Sequence, residues 1–407
     1  MAHSIGDTLE SVVAARLRLL DSLTPLEPEV VELDSALHRV LAETLEAAVD
    51  LPGFDNSAMD GYAVRAIDIV GARVGAPVSL AVVGESRAGA APSELTPGVA
   101  MRIMTGAPMP AGADTVVRQE DTQRRDGQVL VEVAAARGTF VRRRGEDLTS
   151  GQEVLEAGRM LTPIEIGVAA ALGRDHVLVR RRPRVGVLAT GDELVAAGGS
   201  LGAAGVVDSN SPMLIAAVRE AGGDPTFLGI AADSPDAVRR LLNVDGYDII
   251  VSSAGVSVGD HDHVRDVVAE LGEVTTWRIA MRPGKPMLIG RVGRTLFLGL
   301  PGNPVSASVT FELFVRPAIR RLQGATDPMR RRMSVRLGET MQKPVGLETY
   351  ARAVLRRVDG ALPVATSSGA QGSHMLRSLA AADCLLILPA EAAEVAEGTS
   401  VEAIPLR

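Results

Sequence analysis

The chain has 407 residues, 46% of them hydrophobic, and such a length predicts roughly two to four domains. A formal net charge of −8 and an aromatic content of 2% argue against recognition of nucleic acid by base stacking. The single cysteine, Cys384, excludes an intramolecular disulfide and is typical of a reducing compartment.

The amino-terminal segment indicates a cytoplasmic protein. It carries Asp7 and Glu10, which no signal peptide pattern has, and no apolar run is long enough to span a bilayer. Apolar residues recur at helical spacing in residues 7–20, which predicts a helix with a packing face. Residues 51–140 are rich in glycine, proline and valine in short alternating runs, which predicts a small β domain.

Strands and helices alternate in the middle of the chain. We predict strands at residues 184–189, 226–230, 249–252, 286–291 and 295–300. Helices are expected to begin near Pro212, with Ser211 as the N-cap, near Ser234 and Pro235, and near His263. This order predicts a doubly wound, mostly parallel α/β sheet, in which ligands bind beside the carboxyl ends of the strands.

Several acidic residues follow predicted strands and are therefore expected at that edge. They are Asp192, Glu193, Asp233, Asp260 and Asp262. Clustered carboxylates repel one another unless a cation lies among them, and Mg²⁺ prefers one or two carboxylates with water and phosphate. A zinc site is not expected, because His261 and His263 lack further histidine or cysteine ligands. The alternative for Asp260 and Asp262 is that they cap the following helix.

Glycine and proline turns complete the predicted edge. Gly255 and Gly259 let the backbone approach a ligand without a Cβ, and the amides of such loops cradle phosphate oxygens. Pro304 begins a helix in LPGNP, whose first turn, with Ser306, is expected to bind an anion. Three basic residues add positive charge nearby, namely Arg278, Arg282 and Lys285. The alternatives are ordinary chain reversal and solvated surface charge.

Long motifs across the chain resemble those of the molybdopterin molybdenumtransferase family, to which the gephyrin E domain is related. In the carboxyl-terminal half they are TGDEL (190–194), SSAGVSVGDHD (252–262), MRPGKP (281–286) and LPGNPVS (300–306). In the amino-terminal half they are LPGFDNSAMDGYAV (51–64), RIMTGAPMPAGADTVV (102–117) and RRRGEDL (142–148). The resemblance covers about residues 5–405, and such motifs are more specific than a lone glycine fingerprint.

The resemblance implies a subunit of four parts that forms a homodimer. The parts are a discontinuous helical and linker domain (1–50 with 141–182), a β domain (51–140), a molybdopterin-binding α/β domain (183–325) and a carboxyl-terminal β barrel (326–407). It also implies that the β domain of one subunit faces the α/β crevice of the other, so that Asp60 and Thr105 complete the site. Without the resemblance, Asp60 is equally well a cap and Thr105 a turn hydroxyl.

The reaction implied by the resemblance joins molybdate to the dithiolene sulfurs of adenylylated molybdopterin and releases AMP, with Mg²⁺. Cleavage of a phosphoanhydride depends on charge neutralisation and positioning more than on a protein nucleophile. The implied catalytic residues are Asp60, Thr105, Glu193, Asp233 and Asp262, and the metal contacts are Asp192, Glu193, Asp233 and Asp262. The implied residues for the pterin phosphate or adenylate are Gly255, Ser257, Gly259, Pro301, Gly302, Asn303, Pro304 and Ser306.

Arg278, Arg282 and Lys285 are expected to bind molybdate or phosphate. Some family members carry lysine where this chain has Arg278 and Arg282, and arginine is a planar fork whereas lysine is a compact charge. The role of Ser373, in QGSHM, stays open.

Two other functions remain open from the sequence. The chain could be the related molybdopterin adenylyltransferase, which would consume ATP without molybdate, or a non-catalytic scaffold of the kind that gephyrin provides at a membrane receptor. A choice between molybdate and tungstate, and direct docking with the preceding adenylyltransferase, are also open. Small-molecule substrates are the expected partners, with no nucleic acid and no membrane.

Overall fold

The computed structural model describes residues 9–89, 91, 93–256 and 263–406. The described residues form two compact units. The first comprises the described residues within Met1–Glu43, Ala157–Pro163 and His176–Arg407, and the second comprises those within Thr44–Glu156 and Ile164–Asp175. Within the described residues, no helix combines the length and apolar character that a membrane crossing requires.

The helices and strands are numbered in chain order. The helices are α1 (Val12–Asp21), α2 (Pro163–Ala171), α3 (Asn210–Glu220), α4 (Pro235–Leu242), α5 (Val264–Leu271), α6 (Pro304–Thr310), α7 (Arg316–Leu322) and α8 (Leu376–Ala380). The strands are β1 (Pro28–Glu32), β2 (Leu45–Glu46), β3 (Asn56–Ser57), β4 (Gly61–Val64), β5 (Val78–Ser86), β6 (Val99–Ile103), β7 (Thr115–Arg118), β8 (Thr122–Arg125), β9 (Gln128–Val131), β10 (Val141–Arg142), β11 (Glu153–Leu155), β12 (His176–Arg180), β13 (Arg184–Thr190), β14 (Leu194–Val195), β15 (Val206–Val207), β16 (Asp224–Ala231), β17 (Ile249–Ser253), β18 (Gly272–Arg278), β19 (Met281–Arg282), β20 (Pro286–Val292), β21 (Thr295–Leu300), β22 (Met333–Leu337), β23 (Met341–Gln342), β24 (Glu348–Arg356), β25 (Val364–Ser367), β26 (Cys384–Leu388), β27 (Glu394–Val395) and β28 (Ser400–Pro405).

The first unit contains a sheet with the strand order β16–β13–β17–β21–β20–β18. The first four strands are parallel, whereas β20 runs antiparallel to β21 and to β18. Successive side chains of a strand point to opposite faces. Val187 and Val251 accordingly pack with α1, α3, α6 and α7, whereas Leu188, Ile250 and Phe297 pack with α4 and α5. The sheet is therefore covered by helices on both faces, which confirms the predicted doubly wound α/β class.

The predicted strands of this sheet are confirmed, with ends that differ by at most two residues. One strand, β18, was not predicted. Its sequence, GEVTTWR, has no continuous apolar run, because an edge strand that pairs only with β20 does not require one.

The predicted start of the helix near Pro212 is wrong. Helix α3 begins at Asn210, and the carboxylate of Asp208 accepts hydrogen bonds from the backbone N–H groups of Asn210 at 3.1 Å and Ser211 at 3.0 Å. A carboxylate that binds two amides at a helix start is a stronger cap than the predicted Ser211 hydroxyl. The predicted start of α4 at Ser234 and Pro235 is confirmed, and Ser234 caps the helix by accepting a hydrogen bond from the Ala237 N–H.

The carboxyl-terminal part of the first unit contains a closed barrel. Its strands pair in the cycle β24–β25–β22–β28–β26–β24, around a core that includes Val335, Ala353, Leu386 and Ala403. The sequence predicts four of these strands, at residues 333–337, 349–357, 385–388 and 401–404, which agree with β22, β24, β26 and β28. It does not predict β25, whose four residues, VATS, give too short a pattern. The barrel itself confirms the expectation from the family resemblance.

The second unit contains a sheet with the strand order β7–β4–β6–β5–β9–β8. Gly61 is required where β4 meets β7, because a Cβ at this position would lie 1.9 Å from the carbonyl oxygen of Val117. This sheet confirms that residues 51–140 are rich in β structure. The finer division of the chain into four domains stays a prediction.

Candidate functional site

The loops that follow β13 and β16 bring two predicted site residues together. The backbone N–H of Asp233 donates to Oδ1 of Asp192 at 3.0 Å, and the N–H of Asp192 donates to Oδ2 of Asp233 at 3.4 Å. Each carboxylate is therefore held by the main chain of the other loop. These reciprocal bonds place two acidic side chains, one exposed and one half-buried, at the carboxyl edge of the parallel strands.

Glu193 lies beside the same pair. Its carboxylate folds back over Gly191, where an added Cβ would lie 2.7 Å from Oε2 of Glu193. Gly191 has φ of +146°, in the region that favours glycine. A glycine at this position therefore allows Glu193 to lie over the turn.

The first residues after β17 pack against the turn after β21 and against the end of β13. A Cβ added to Gly255, whose φ is +77°, would lie 2.1 Å from Cγ2 of Val264 and 3.0 Å from Oγ1 of Thr190. A Cβ added to Gly302 would lie 3.1 Å from the Cβ of Ala254. The carboxyl ends of β13, β17 and β21 therefore form one continuous edge in which glycine permits the close approach.

The basic residues lie at this edge because of strand direction. Strand β20 runs antiparallel to β21, so its first residue lies at the edge where the parallel strands end. Arg278, the last residue of β18, pairs with Pro286, the first residue of β20. The connecting turn contains Arg282 and Lys285, which are exposed. The reversal of one strand thus brings all three predicted basic positions to the acidic side of the sheet.

The helix that follows LPGNP begins as predicted, with Asn303 as the N-cap and Pro304 in the first turn. The N–H of Val305 donates to the carbonyl oxygen of Ser373 at 3.1 Å. Ser373 thus occupies the Val305 amide, one of the first-turn N–H groups that were predicted to bind an anion. Ser306 is only 4% exposed, and its predicted contact with phosphate stays a prediction.

Two residues beside this edge were missed by the sequence analysis. Asn210 donates from Nδ2 to Oγ of Ser253 at 2.7 Å and to the carbonyl oxygen of Gly302 at 2.7 Å. Asp208 holds the backbone of Asn210, as described above. The signal was the string DSNSP before an apolar run, in which the earlier Asp208 caps the helix and leaves the asparagine side chain available for other contacts.

Asp60 and Thr105 lie in the second unit and contact each other. The backbone N–H and the hydroxyl of Thr105 donate to Oδ1 of Asp60 at 2.7 and 2.8 Å. The backbone bond, the hydroxyl bond and the charge of Arg102 lower the pKa of Asp60 from its ordinary value. Asp60 is therefore a carboxylate at neutral pH and accepts hydrogen bonds rather than donating a proton.

Four predicted site residues lie outside the described residues, namely Ser257, Gly259, Asp260 and Asp262. Among the residues that the structure describes, no three or more histidine, cysteine, aspartate or glutamate side chains form a group that could hold a metal ion. Of the predicted metal contacts that the structure describes, Asp192 and Asp233 are brought together, whereas Glu193 does not form a group of three with them.

Comparison with known families assigns nearly the whole chain. Residues 10–173 match the MoeA N-terminal region (domain I and II), residues 186–321 match the "Probable molybdopterin binding domain", and residues 334–406 match the MoeA C-terminal region (domain IV). The chain is 40% identical over 404 residues to "Molybdopterin molybdenumtransferase 2" of Mycobacterium tuberculosis, covering 97% of this chain and 99% of that protein. It is 38% identical over 390 residues to "Molybdopterin molybdenumtransferase" of Nostoc sp., covering 93% and 89%.

Solved structures agree with these matches. Two crystal structures of the molybdopterin biosynthesis protein MoeA from Pyrococcus horikoshii each cover 98% of this chain and are covered over their full length. One is 31% identical with a TM-score of 0.80, and the other is 28% identical with a TM-score of 0.84.

The contact between Asp60 and Thr105 predicts a measurable pKa change. Replacement Thr105→Val keeps the side-chain shape and the backbone N–H but removes the hydroxyl donor, so the pKa of Asp60 should rise toward its ordinary value. Titration of the Asp60 carboxyl carbon by NMR measures this change. Thr105→Ser retains the hydroxyl and should keep the lowered pKa. An unchanged pKa in Thr105→Val would show that the hydroxyl bond does not stabilise the carboxylate.

Proposed function

Because this chain belongs to the molybdopterin molybdenumtransferase family, we propose that it inserts molybdenum from molybdate into adenylylated molybdopterin and releases AMP. It is a transferase of molybdenum cofactor biosynthesis. The observation that carries this proposal is the convergence of an acidic pair, a glycine and proline edge and a basic turn at the carboxyl ends of one sheet.

The substrates are strongly anionic, and the charges of the edge match this chemistry. Adenylylated molybdopterin carries a phosphoanhydride, and molybdate is an oxyanion. Arg278, Arg282 and Lys285 supply positive charge at the edge for these oxygens. The close packing of Gly302 against Ala254 holds the main chain at the ends of β17 and β21, so that little reorganisation is needed when charge shifts during cleavage.

The acidic pair fits a magnesium ion. Mg²⁺ takes one or two carboxylates and completes its shell with water and substrate phosphate, and Asp192 and Asp233 provide two carboxylates that backbone amides hold in place. Glu193 lies beside them, and Asp262 is proposed as a further contact. When bound, the ion supplies charge neutralisation at the phosphate oxygens. The protein residues orient the anhydride and the oxyanion toward each other.

We also propose a homodimer, in which Asp60 and Thr105 of one subunit complete the crevice of the other. The ionised Asp60 then acts as a fixed acceptor within a shared site. The single cysteine is consistent with a protein that functions in a reducing compartment such as the cytoplasm. The adenylyltransferase of the preceding step is a candidate partner because it makes the substrate.

Removal of one charge from the acidic pair tests the assigned function. Asp233→Asn keeps an acceptor for the Asp192 N–H but removes the negative charge, so molybdate-dependent AMP release should fall on the order of 10²-fold. Added Mg²⁺ should partly restore the rate. The measurement is AMP formation from purified adenylylated molybdopterin, with and without molybdate.

Asp236→Asn is the matched control, because Asp236 is three residues away on the exposed side of α4, with a side chain 85% exposed. Its rate should equal that of the unaltered protein. Equal rates for both variants would contradict the role of Asp233. AMP formation or ATP consumption that does not depend on molybdate would favour an adenylyltransferase instead.

Subunit mixing tests the shared site. Asp60→Asn and Asp233→Asn subunits should each be nearly inactive, but a dimer of one of each contains one intact pairing of Asp60 with Asp233. Random exchange at equal amounts should therefore restore about a quarter of the activity, because half of the dimers carry one intact site of two. Failure of the mixture to recover activity, with subunit exchange demonstrated, would place both residues in the site of a single subunit or outside the site.

A further inference from the structure

Asn210 joins the end of β17 to the turn after β21, in the middle of the site edge. It is the first residue of α3 and lies at neither of them in sequence. Its Nδ2 donates at 2.7 Å to Oγ of Ser253, the last residue of β17, and at 2.7 Å to the carbonyl oxygen of Gly302, in LPGNP after β21. One side-chain amide therefore connects the carboxyl end of β17 with the turn after β21.

The orientation of this amide is determined by its partners. The carbonyl oxygen of Gly302 can only accept a hydrogen bond, so the atom that faces it at 2.7 Å must be the NH₂ group. Rotation of the amide by half a turn would place two acceptor oxygens against each other. Asn210 therefore acts as a donor to both partners.

The surroundings make this donor hard to replace. Asn210 is 8% exposed and Ser253 is 2% exposed, so water does not readily take over either bond. Within the described residues, Oδ1 of Asn210 and Oγ of the neighbouring Ser211 are buried without a hydrogen-bond partner. Buried polar atoms without partners cost stability and persist mainly where they serve another purpose.

Asp208 fixes the position from which Asn210 reaches its two partners. Its carboxylate accepts from the backbone N–H groups of Asn210 and Ser211, and it is 5% exposed. The first amides of α3 are therefore already occupied by a carboxylate, which excludes an anionic ligand at these amides and leaves positioning as the role of this helix start.

We propose that Asn210 is a positioning residue of the molybdenum transfer site. It holds the carboxyl end of β17, at Ser253, and the LPGNP turn, at Gly302, at the separation that the adenylylated pterin requires. This inference rests on the proposed function, since the substrate of the site is the one assigned there. It assigns no direct contact between Asn210 and the substrate.

The test is the pH profile of Asn210→Asp. An ionised aspartate has no proton to donate and repels the Gly302 carbonyl oxygen, whereas the protonated acid can donate one bond and restore the connection. At a pH above neutrality, kcat/KM for molybdate-dependent AMP release should therefore fall on the order of 10²-fold. Relative to the unaltered protein at each pH, the activity of Asn210→Asp should rise as the pH is lowered.

Two controls separate positioning from a general loss of folding. Asn243→Asp makes the same chemical change at an exposed position after α4, and its activity relative to the unaltered protein should not depend on pH. Asn210→Ala cannot regain a donor, so its loss of activity should persist at every pH. Thermal unfolding of each variant verifies that the protein tested is folded.

A second measurement applies if Asn210→Asp does not fold. In a double-mutant cycle, Ser253→Ala should lower kcat/KM, and Asn210→Ala combined with Ser253→Ala should lose little more than Asn210→Ala alone, because both remove the same connection. Additive losses, full activity of Asn210→Ala, or a pH-independent deficit in Asn210→Asp would each overturn the inference. Absence of molybdate-dependent AMP release in the unaltered protein would instead refute the proposed function, and the inference would fall with it.

Discussion

The parallel alignment of β16, β13, β17 and β21 determines where the polar chemistry of this protein lies. Parallel strands end at one edge of a sheet, so the residues that follow them meet there even though they are far apart in sequence. Asp192 and Asp233 show the result directly, because the backbone amide of each donates to the carboxylate of the other. Strand β20 runs the opposite way and therefore begins at this edge, so the basic turn and the acidic pair share one edge of the sheet, at opposite ends of the strand order.

Close packing of the loops keeps this edge continuous. A Cβ atom added to Gly255 would meet Val264, and one added to Gly302 would meet Ala254. Glycine therefore lets the residues after β17 and β21 approach more closely than larger residues would allow. Asn210, the first residue of α3, then connects the last residue of β17 with the turn after β21. The site is therefore held by main-chain proximity and by one buried side-chain amide, with charged residues at its rim.

Much of the fold could be predicted from the sequence, since strands such as β13, β17 and β21 are short apolar runs with a clear pattern. The strands β18 and β25 could not, because an alternating edge strand and a four-residue strand carry too little pattern. The predicted start of α3 was wrong because two candidate caps, Asp208 and Ser211, lie three residues apart. The energetic advantage of the Asp208 carboxylate is evident only when its contacts with the backbone are known.

The candidate site, like the fold, could be predicted from the sequence only in part. That Asp192 and Asp233 are close followed from strand direction alone. The family resemblance implied that Asp60 and Thr105 both belong to the site, but their contact with each other was not predicted. The role of Asn210 depends on distances to Ser253 and Gly302, residues that lie more than forty positions away. Sequence spacing contains no information on such contacts. For the same reason, the hydrogen bond from the Val305 N–H to the carbonyl oxygen of Ser373 could not be predicted.

The location of the divalent ion tests the central claim most directly. Crystals grown with AMP, molybdate and Mn²⁺, which replaces Mg²⁺ and scatters anomalously, would show that location as a peak in the anomalous difference map. A peak whose protein ligands or bound waters belong to Asp192 and Asp233 is the predicted result. A peak far from both carboxylates, with AMP bound elsewhere than at this edge of the sheet, would contradict the account.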